Sequence, residues 1–254
     1  MSGTFTPAPG SAPLSQQVRA QAGMEARLMM RNGEQLLLAI VIPLVVLVGG
    51  LYAADRVDLG ISSDPIDLLA PGVLALAVMS TAFTAVAIAT GFERRYGVIK
   101  RLGASPLPRH GLLLGKVGAL LVVEAVQVVV IGGAALALGW RPDVAVVGVL
   151  LSAVLGTMAF GALGLLIAGV MRAEATLALA NLVYLLLMAG GGVVIPASQY
   201  GPASEFVKLL PSGALGESFR ASLLDGHTDW AALGVLMVWA AVASFLTART
   251  FRWE

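Results

Sequence analysis

Cysteine is absent from the 254 residues, and histidine occurs only at His110 and His227. Disulfides, thiolate-bound metals, iron–sulfur clusters and a cysteine nucleophile are excluded with it. Two histidines also leave no ligand set for a multi-histidine metal or haem site, so no cofactor is expected on this chain. Charge is scarce too. Only 12% of residues are Asp, Glu, Lys or Arg, against roughly 25% in an ordinary soluble domain. Half the usual charge cannot cover a globular surface, which disfavours a soluble enzyme. The 16 basic and 15 acidic residues leave a net charge of +1, so there is no global attraction to nucleic acid.

What the chain has instead is apolar length. Hydrophobic residues make up 58% of it, and the mean hydropathy is +0.88. A membrane-crossing helix needs about 20 apolar residues for a hydrocarbon core about 30 Å thick. Such runs are predicted at 35–54, 68–92, 111–139, 144–171, 175–195 and 230–248. The expected fold is therefore all-α, a polytopic membrane protein with six transmembrane helices in a domain over 35–254. Pro43 is expected to kink the first span. Residues 1–13, rich in Pro, Ala, Gly, Ser and Thr, read as a disordered tail and not as a signal peptide. Residues 14–34 carry Leu14, Val18, Ala22 and Met29 at helical spacing, with Arg27 and Arg31 on another side, as in an amphipathic interfacial helix. With both termini inside, the inner segments hold eleven Lys and Arg and the outer ones four. That asymmetry is the positive-inside pattern. Arg outnumbers Lys 13 to 3, a bias that fits a GC-rich bacterial genome and hence a bacterial plasma membrane.

The loop after the second span is the most informative stretch. It holds Glu93, Arg94, Arg95, Gly97, Lys100, Arg101 and Leu102, and Gly103 and the Ser105–Pro106 step should end a short helix there. Glu93, Arg94, Gly97, Leu102, Ser105, Pro106 and Leu107 resemble the coupling loop of ABC-2 type transporter permeases. Arg95 and Val98 stand where that pattern has Glu and Thr. Leu112 to Lys116 continues the resemblance, and Leu210–Pro211 through Arg220, Leu223, Leu224 and Gly226 is similar to the family's last outer loop. The family includes drug-resistance exporters of the daunorubicin type and polysaccharide exporters. The resemblance implies a short cytoplasmic coupling helix between spans two and three and a permease subunit that forms the substrate path. It also implies two ABC ATPase subunits that carry the ATP and Mg²⁺, and a second copy of this permease or a related one. The segment from Gly111 to Val117 is one residue short of a phosphate-cradling loop and lacks its Ser or Thr, so hydrolysis falls to another chain.

Polar residues within the spans form the second set of candidates. Glu124 should lie roughly 20 Å along the third span, with Gln127 three residues on. Thr157 should reach a similar depth, as should Ser80 and Thr81, and Asn181 an intermediate one. Lys116 is shallow enough to snorkel. Glu124 either faces a translocation path or is a protonated or hydrogen-bonded carboxyl that holds helices together. A stand-alone secondary carrier with Glu124 as its proton site is the alternative to the ATP-driven reading. Ser152, Gly156, Gly161, Gly164 and Ala168 give small-xxx-small spacing for close packing. Gly190, Gly191 and Gly192 followed by Pro196 form either a hinge or a plain helix end. The charge asymmetry makes one direct prediction. A cysteine introduced at Ser105 should react with an impermeant maleimide only in opened or inverted vesicles, and labelling from outside would reject this orientation.

Overall fold

The structure, a computed structural model, describes residues 12–54, 56, 64–103 and 108–251. Among these residues every regular element is helical. Most of the expected tail lies outside the described residues, as do 57–63 of the first outer loop and Ser105 and Pro106 of the coupling loop.

Helix α1 (Leu14–Arg31) comes first. The short α2 (Gly33–Leu36), a π-turn at Leu37–Val41 and α3 (Ile42–Ala54) then run on without a break. Helix α4 (Pro65–Met79), a π-turn at Ser80–Ala85 and α5 (Val86–Arg95) together make one helix of 31 residues. Helices α6 (Val98–Gly103), α7 (Arg109–Ala137), α8 (Val146–Val170) and α9 (Ala173–Gly190) follow. A 3₁₀ turn at Ala197–Ala203 leads into α10 (Ser204–Leu209), α11 (Pro211–Leu223) and α12 (Trp230–Thr250). Pro65 opens α4 at a position where its missing N–H costs nothing. The Asp229 carboxylate caps α12 by accepting from Ala231 N at 2.9 Å and Ala232 N at 3.0 Å.

Five described helices are long and apolar enough to cross a membrane: Pro65–Arg95, His110–Ala137, Val146–Val170, Ala173–Gly190 and Trp230–Thr250. The first expected span contains the shorter apolar helix Ala39–Ala54. Its length is about 24 Å at 1.5 Å per residue, with the turns from Gly33 onward ahead of it. The chain is an all-α, multi-pass membrane protein.

The 31-residue helix is the axis of the bundle. Its apolar stretch is 83% buried, against 22% for Ala173–Gly190, the most peripheral of the five. Close approach depends on small residues. Ser152, Gly156, Gly161, Gly164 and Ala168 of α8 are all buried. A Cβ on Gly164 would lie 2.7 Å from Phe83 O and 3.3 Å from Ala87 N, so α8 rests on the backbone of the second π-turn. Phe83 and Phe160 meet edge to face across the same seam at 6.2 Å. Helix α1 lies along α7 because Gly115 and Gly118 open room for Gln21 and Ala22. Gln21 and Ala26 are its buried residues, while Leu14 and Leu28 stay exposed, as do Arg19, Arg27 and Arg31. The covered side of α1 is thus smaller and more polar than the Leu14–Val18–Ala22–Met29 line predicts, since glycine notches on α7 admit small side chains.

Helices α10 and α11 form a re-entrant hairpin. The Trp239 indole N–H donates to Leu209 O at 2.9 Å, nine residues or about 14 Å along α12 from its start. Leu215 fills the notch left by Gly156, where Val78 also approaches the helix. The chain then returns, and Ser222 O and Leu223 O accept from Ala145 N and Asp143 N at the start of α8. All of α11 except Glu217 is buried.

Gly164→Val should force a branched side chain against Phe83 O and destabilise the protein by about 1–3 kcal/mol. A methyl group added at Gly132 would meet no atom within 4 Å, so Gly132→Ala should be neutral or stabilising by up to about 1 kcal/mol. Unfolding in detergent, followed by intrinsic fluorescence, measures both.

Candidate functional site

The first candidate region is the turn between α5 and α6. Gly97 takes a positive φ of 67°, which lets the chain reverse direction after Arg95, and Phe92 stacks on Tyr96. The adjacent charges diverge because successive helical positions point about 100° apart. Glu93 turns inward to Lys116 at 3.3 Å, and Lys116 reaches Glu25 of α1 at 3.2 Å. Arg94 turns toward the end of α8 and donates to Ala168 O and Met171 O. A cation suits a helix C-terminus, where carbonyls lack partners. Its guanidinium carbon also lies 5.8 Å from the Phe251 ring. Arg95 pairs with Glu174 in the first turn of α9. This pair is half exposed or more on both sides, so it contributes at most about 1 kcal/mol. Tyr96, Lys100 and Arg101 are exposed and Leu102 lies on α6. The predicted loop therefore divides into residues that root it in the bundle, Glu93 and Arg94, and residues that face outward.

Two of the cavities among the described residues border these helices, named inner and outer here after the orientation that the charge pattern predicts. The inner one, 300 Å³, is bordered by Glu25, Thr90, Glu93, Lys116 and apolar residues of α7, α8 and α12. The outer one, 320 Å³, lies between Leu68 and Leu69 of α4 and the chain after α9, at Val194, Pro196 and Tyr200. Among the described residues no three His, Asp or Glu side chains are grouped to hold a metal.

Of the intramembrane candidates, the structure pairs Glu124 with Thr157. The hydroxyl oxygen lies 2.7 and 2.8 Å from the two carboxyl oxygens, and it also lies 2.7 Å from Ala153 O. Both residues are buried, so the contact ties α7 to α8. Gln127 joins three segments. Its amide donates to Ala39 O at 2.8 Å and to Thr81 Oγ1 at 2.8 Å. Ala39 and Thr81 sit in the two π-turns, the first offering its backbone carbonyl and the second its side-chain hydroxyl. Asn181 is exposed on the outer side of α9, apart from this set.

The chain after α9 holds a residue that the sequence placed in the outer loop, as a cation and as part of the family resemblance, with no partner assigned. Arg220 is 4% exposed. Its guanidinium donates to Gly192 O at 2.7 Å, Val193 O at 3.1 Å and Val194 O at 3.4 Å, and it pairs with Glu217 at 3.2 Å. Glu217 in turn accepts from Ala197 N at 2.9 Å. The available signal was an Arg three residues after a Glu, within a 13-residue helix opened by Pro211 and otherwise uncharged. The glycine run is packed here and not loose. Gly191 N donates to Leu187 O at 2.9 Å, closing α9, and Ser212 Oγ donates to Gly191 O at 2.8 Å. Gly192 has a φ of 76°, and a Cβ on it would lie 2.5 Å from Val207 Cγ1. Gly190 is exposed, and Pro196 precedes the 3₁₀ turn.

A protein-family model described as ABC-2 type transporter matches residues 16–224, from α1 to the residue after α11. No curated protein matches the chain.

Removing the buried guanidinium leaves three carbonyls and Glu217 without their donor. Arg220→Met should cost about 3–5 kcal/mol, read as a lower unfolding midpoint and faster proteolysis between α9 and α10. Gln127→Leu should cost about 1–3 kcal/mol for the stranded Ala39 and Thr81 groups. Glu124→Gln should lie within about 1 kcal/mol of the parent, since the amide keeps a hydrogen bond to Thr157.

Proposed function

The chain belongs to the ABC-2 type transporter family, and from that premise we propose that it is the transmembrane permease subunit of an ATP-driven exporter. The observation that carries this reading is the build of the α5–α6 turn. Arg95, Tyr96, Lys100 and Arg101 stand exposed, while Glu93 and Arg94 anchor the turn to α7 and α8. A short helix held this way is suited to receive a push from another protein and pass it on. Two ATPase subunits, carrying ATP and Mg²⁺, dock at this end, and a second permease copy or a related permease completes the path. In this reading nucleotide binding and hydrolysis belong to the ATPase subunits.

The mechanical route follows from one helix. Residues Pro65 to Arg95 are continuous, so displacement of α6 moves a rod about 46 Å long. At its far end Gly72 lies against Val193 O and Val194 O, beside Arg220. Closure of the ATPases therefore biases the outer hairpin between two packings, the kind of switch that interfaces of packed helices perform. Six spans are supported by the continuous helical stretch over Gly33–Ala54 ahead of the five long helices. The eleven-to-four distribution of Lys and Arg supports cytoplasmic termini and coupling loop. The bilayer is a bacterial plasma membrane, and nucleic acid has no part. The Glu124–Thr157 pair supports a tie between helices, the alternative being the proton site of a secondary carrier.

Charge reversal at the exposed residues tests the coupling without touching the internal pairs. With the partner ATPase coexpressed, Lys100→Glu with Arg101→Glu should lower transport at least about tenfold, equivalent to ~1.4 kcal/mol. Gly97→Val, which strains the positive φ, should act in the same direction. Unfolding midpoint and membrane insertion of the charge-reversed protein should stay unchanged. Full transport and normal ATPase stimulation in both variants would argue against docking at this turn.

A further inference from the structure

We propose that α1 carries a binding site for an anionic phospholipid, with the headgroup phosphate seated on Gly23 between Arg19 and Arg27. These three residues are four positions apart and share one exposed side of α1. With Met24, Leu28 and Arg31 they line a groove of 530 Å³. The other side of α1 rests on α7, where Gln21 and Ala22 meet Gly115 and Gly118. Glu25, the acidic residue of α1, turns away from the groove and reaches Lys116 at 3.2 Å. Among the described residues no carboxylate pairs with Arg19 or Arg27, and none lines the groove. The groove therefore presents guanidinium groups alone, and a phosphate supplies the matching charge in a geometry that their paired N–H groups fit.

Gly23 adds a steric observation. Glycine within a helix weakens it. At Gly115 and Gly118 packing requires it, since a Cβ would lie 2.6 Å from Gln21 Cγ and 3.2 Å from Ala22 Cβ. At Gly23 a Cβ would meet nothing within 4 Å, so the fold does not require it. The same holds at Gly132, but Gly23 has an arginine one turn away on either side. Its missing side chain leaves a floor about 6 Å along the helix from each arginine, within reach of both. Met24 and Leu28, 46% and 62% exposed, lie beside the arginines and suit an acyl chain, for which a free anion has no use. The depth agrees. Helix α7 has 29 residues, about 43 Å, close to the roughly 40–45 Å of a bilayer with its headgroups. Gly115, which Gln21 covers, is about 9 Å from the Arg109 end. Gly23 is two residues further along α1, just beneath the headgroup layer, where arginines extend toward phosphates. The proposal rests on membrane residence and not on the coupling reading.

The test needs neither nucleotide nor ATPase. The full chain in detergent micelles is incubated with dioleoyl phosphatidylglycerol, and retained lipids are counted by native mass spectrometry. One phosphatidylglycerol per chain should be held about tenfold more tightly than phosphatidylcholine, whose choline brings a cation to the guanidinium groups. Arg19→Gln combined with Arg27→Gln should weaken phosphatidylglycerol about tenfold. Gly23→Leu, which fills the groove and keeps both charges, should do the same. Arg172→Gln combined with Arg249→Gln removes equal charge at two other exposed positions and should leave binding unchanged. Unfolding midpoints of the lipid-free variants should be no lower than that of the parent, which separates a lost site from a lost fold. Glycerol 1-phosphate, a headgroup without tails, should not displace the lipid. Equal retention of phosphatidylcholine overturns the proposal, as does full retention in Gly23→Leu. An equal loss in the Arg172 and Arg249 control makes the effect one of overall charge and overturns it too. Displacement by glycerol 1-phosphate at matched concentration would make the occupant a free phosphate and reject the lipid.

Discussion

Past Gly190 the backbone leaves helical geometry while still inside the bundle, and the carbonyls of Gly192, Val193 and Val194 lose their helical donors. The Arg220 guanidinium supplies the replacement. The site is buried, and a buried carbonyl left without a donor costs about 1–3 kcal/mol. The outer half of the molecule is arranged around this one contact. Arg220 must come from α11, so α11 must dip into the bundle. Gly156 and Gly72 must lack side chains for it to fit. Glu217 must lie one helical turn back, where it balances the charge and holds Ala197 N.

The same constraint recurs at each other irregularity. At the two π-turns the Gln127 amide reaches the Ala39 carbonyl of one and the Thr81 hydroxyl of the other. The last carbonyls of α8 receive Arg94. Each repair comes from a different helix, so the repairs double as cross-links. Gln127 ties α7 to both π-turns, Glu124 ties α7 to α8, and Arg94 ties α5 to the end of α8. The long helix from Pro65 to Arg95 takes part at both ends, through Gly72 beside Arg220 and through Glu93 and Arg94 at the α5–α6 turn. Local changes at one end therefore have a stiff element through which to reach the other.

Close packing and charge placement divide the molecule by depth. In the middle, glycines on α8 permit backbone contact, and dispersion with hydrogen bonds must hold the helices, because lipid tails are as apolar as the core. Near the α6 end, the Glu25–Lys116–Glu93 group joins α1, α7 and α5 in a setting only partly shielded from water. There, charged pairs can rearrange at lower cost than they could at mid-depth. The exposed part of the α5–α6 turn sits beside these weaker ties, while the α10–α11 hairpin rests on the fully buried one.

Membrane residence, the all-α class and membership of the family were legible from composition and from residues such as Glu93, Arg94 and Gly97, because hydropathy and short spacings are properties of the chain alone. The polar residues worth attention, Glu124, Gln127 and Thr157, were also legible, since any polar side chain in an apolar run stands out. Their partners were not. Helical periodicity says which residues share a face, but it does not say what that face meets. Depth along a span does not reveal that Thr157 opposes Glu124, or that π-turns will present Ala39 and Thr81 to Gln127. Adjacent Glu93, Arg94 and Arg95 read as one basic loop, yet three helices claim them separately. Arg220 read as an outer-loop cation because its count in the charge pattern is the same whether it points to water or to carbonyls. Only the return of α11 into the bundle brings it to the end of α9, since the segments it joins are 26 to 28 residues apart in sequence and meet only in the folded chain.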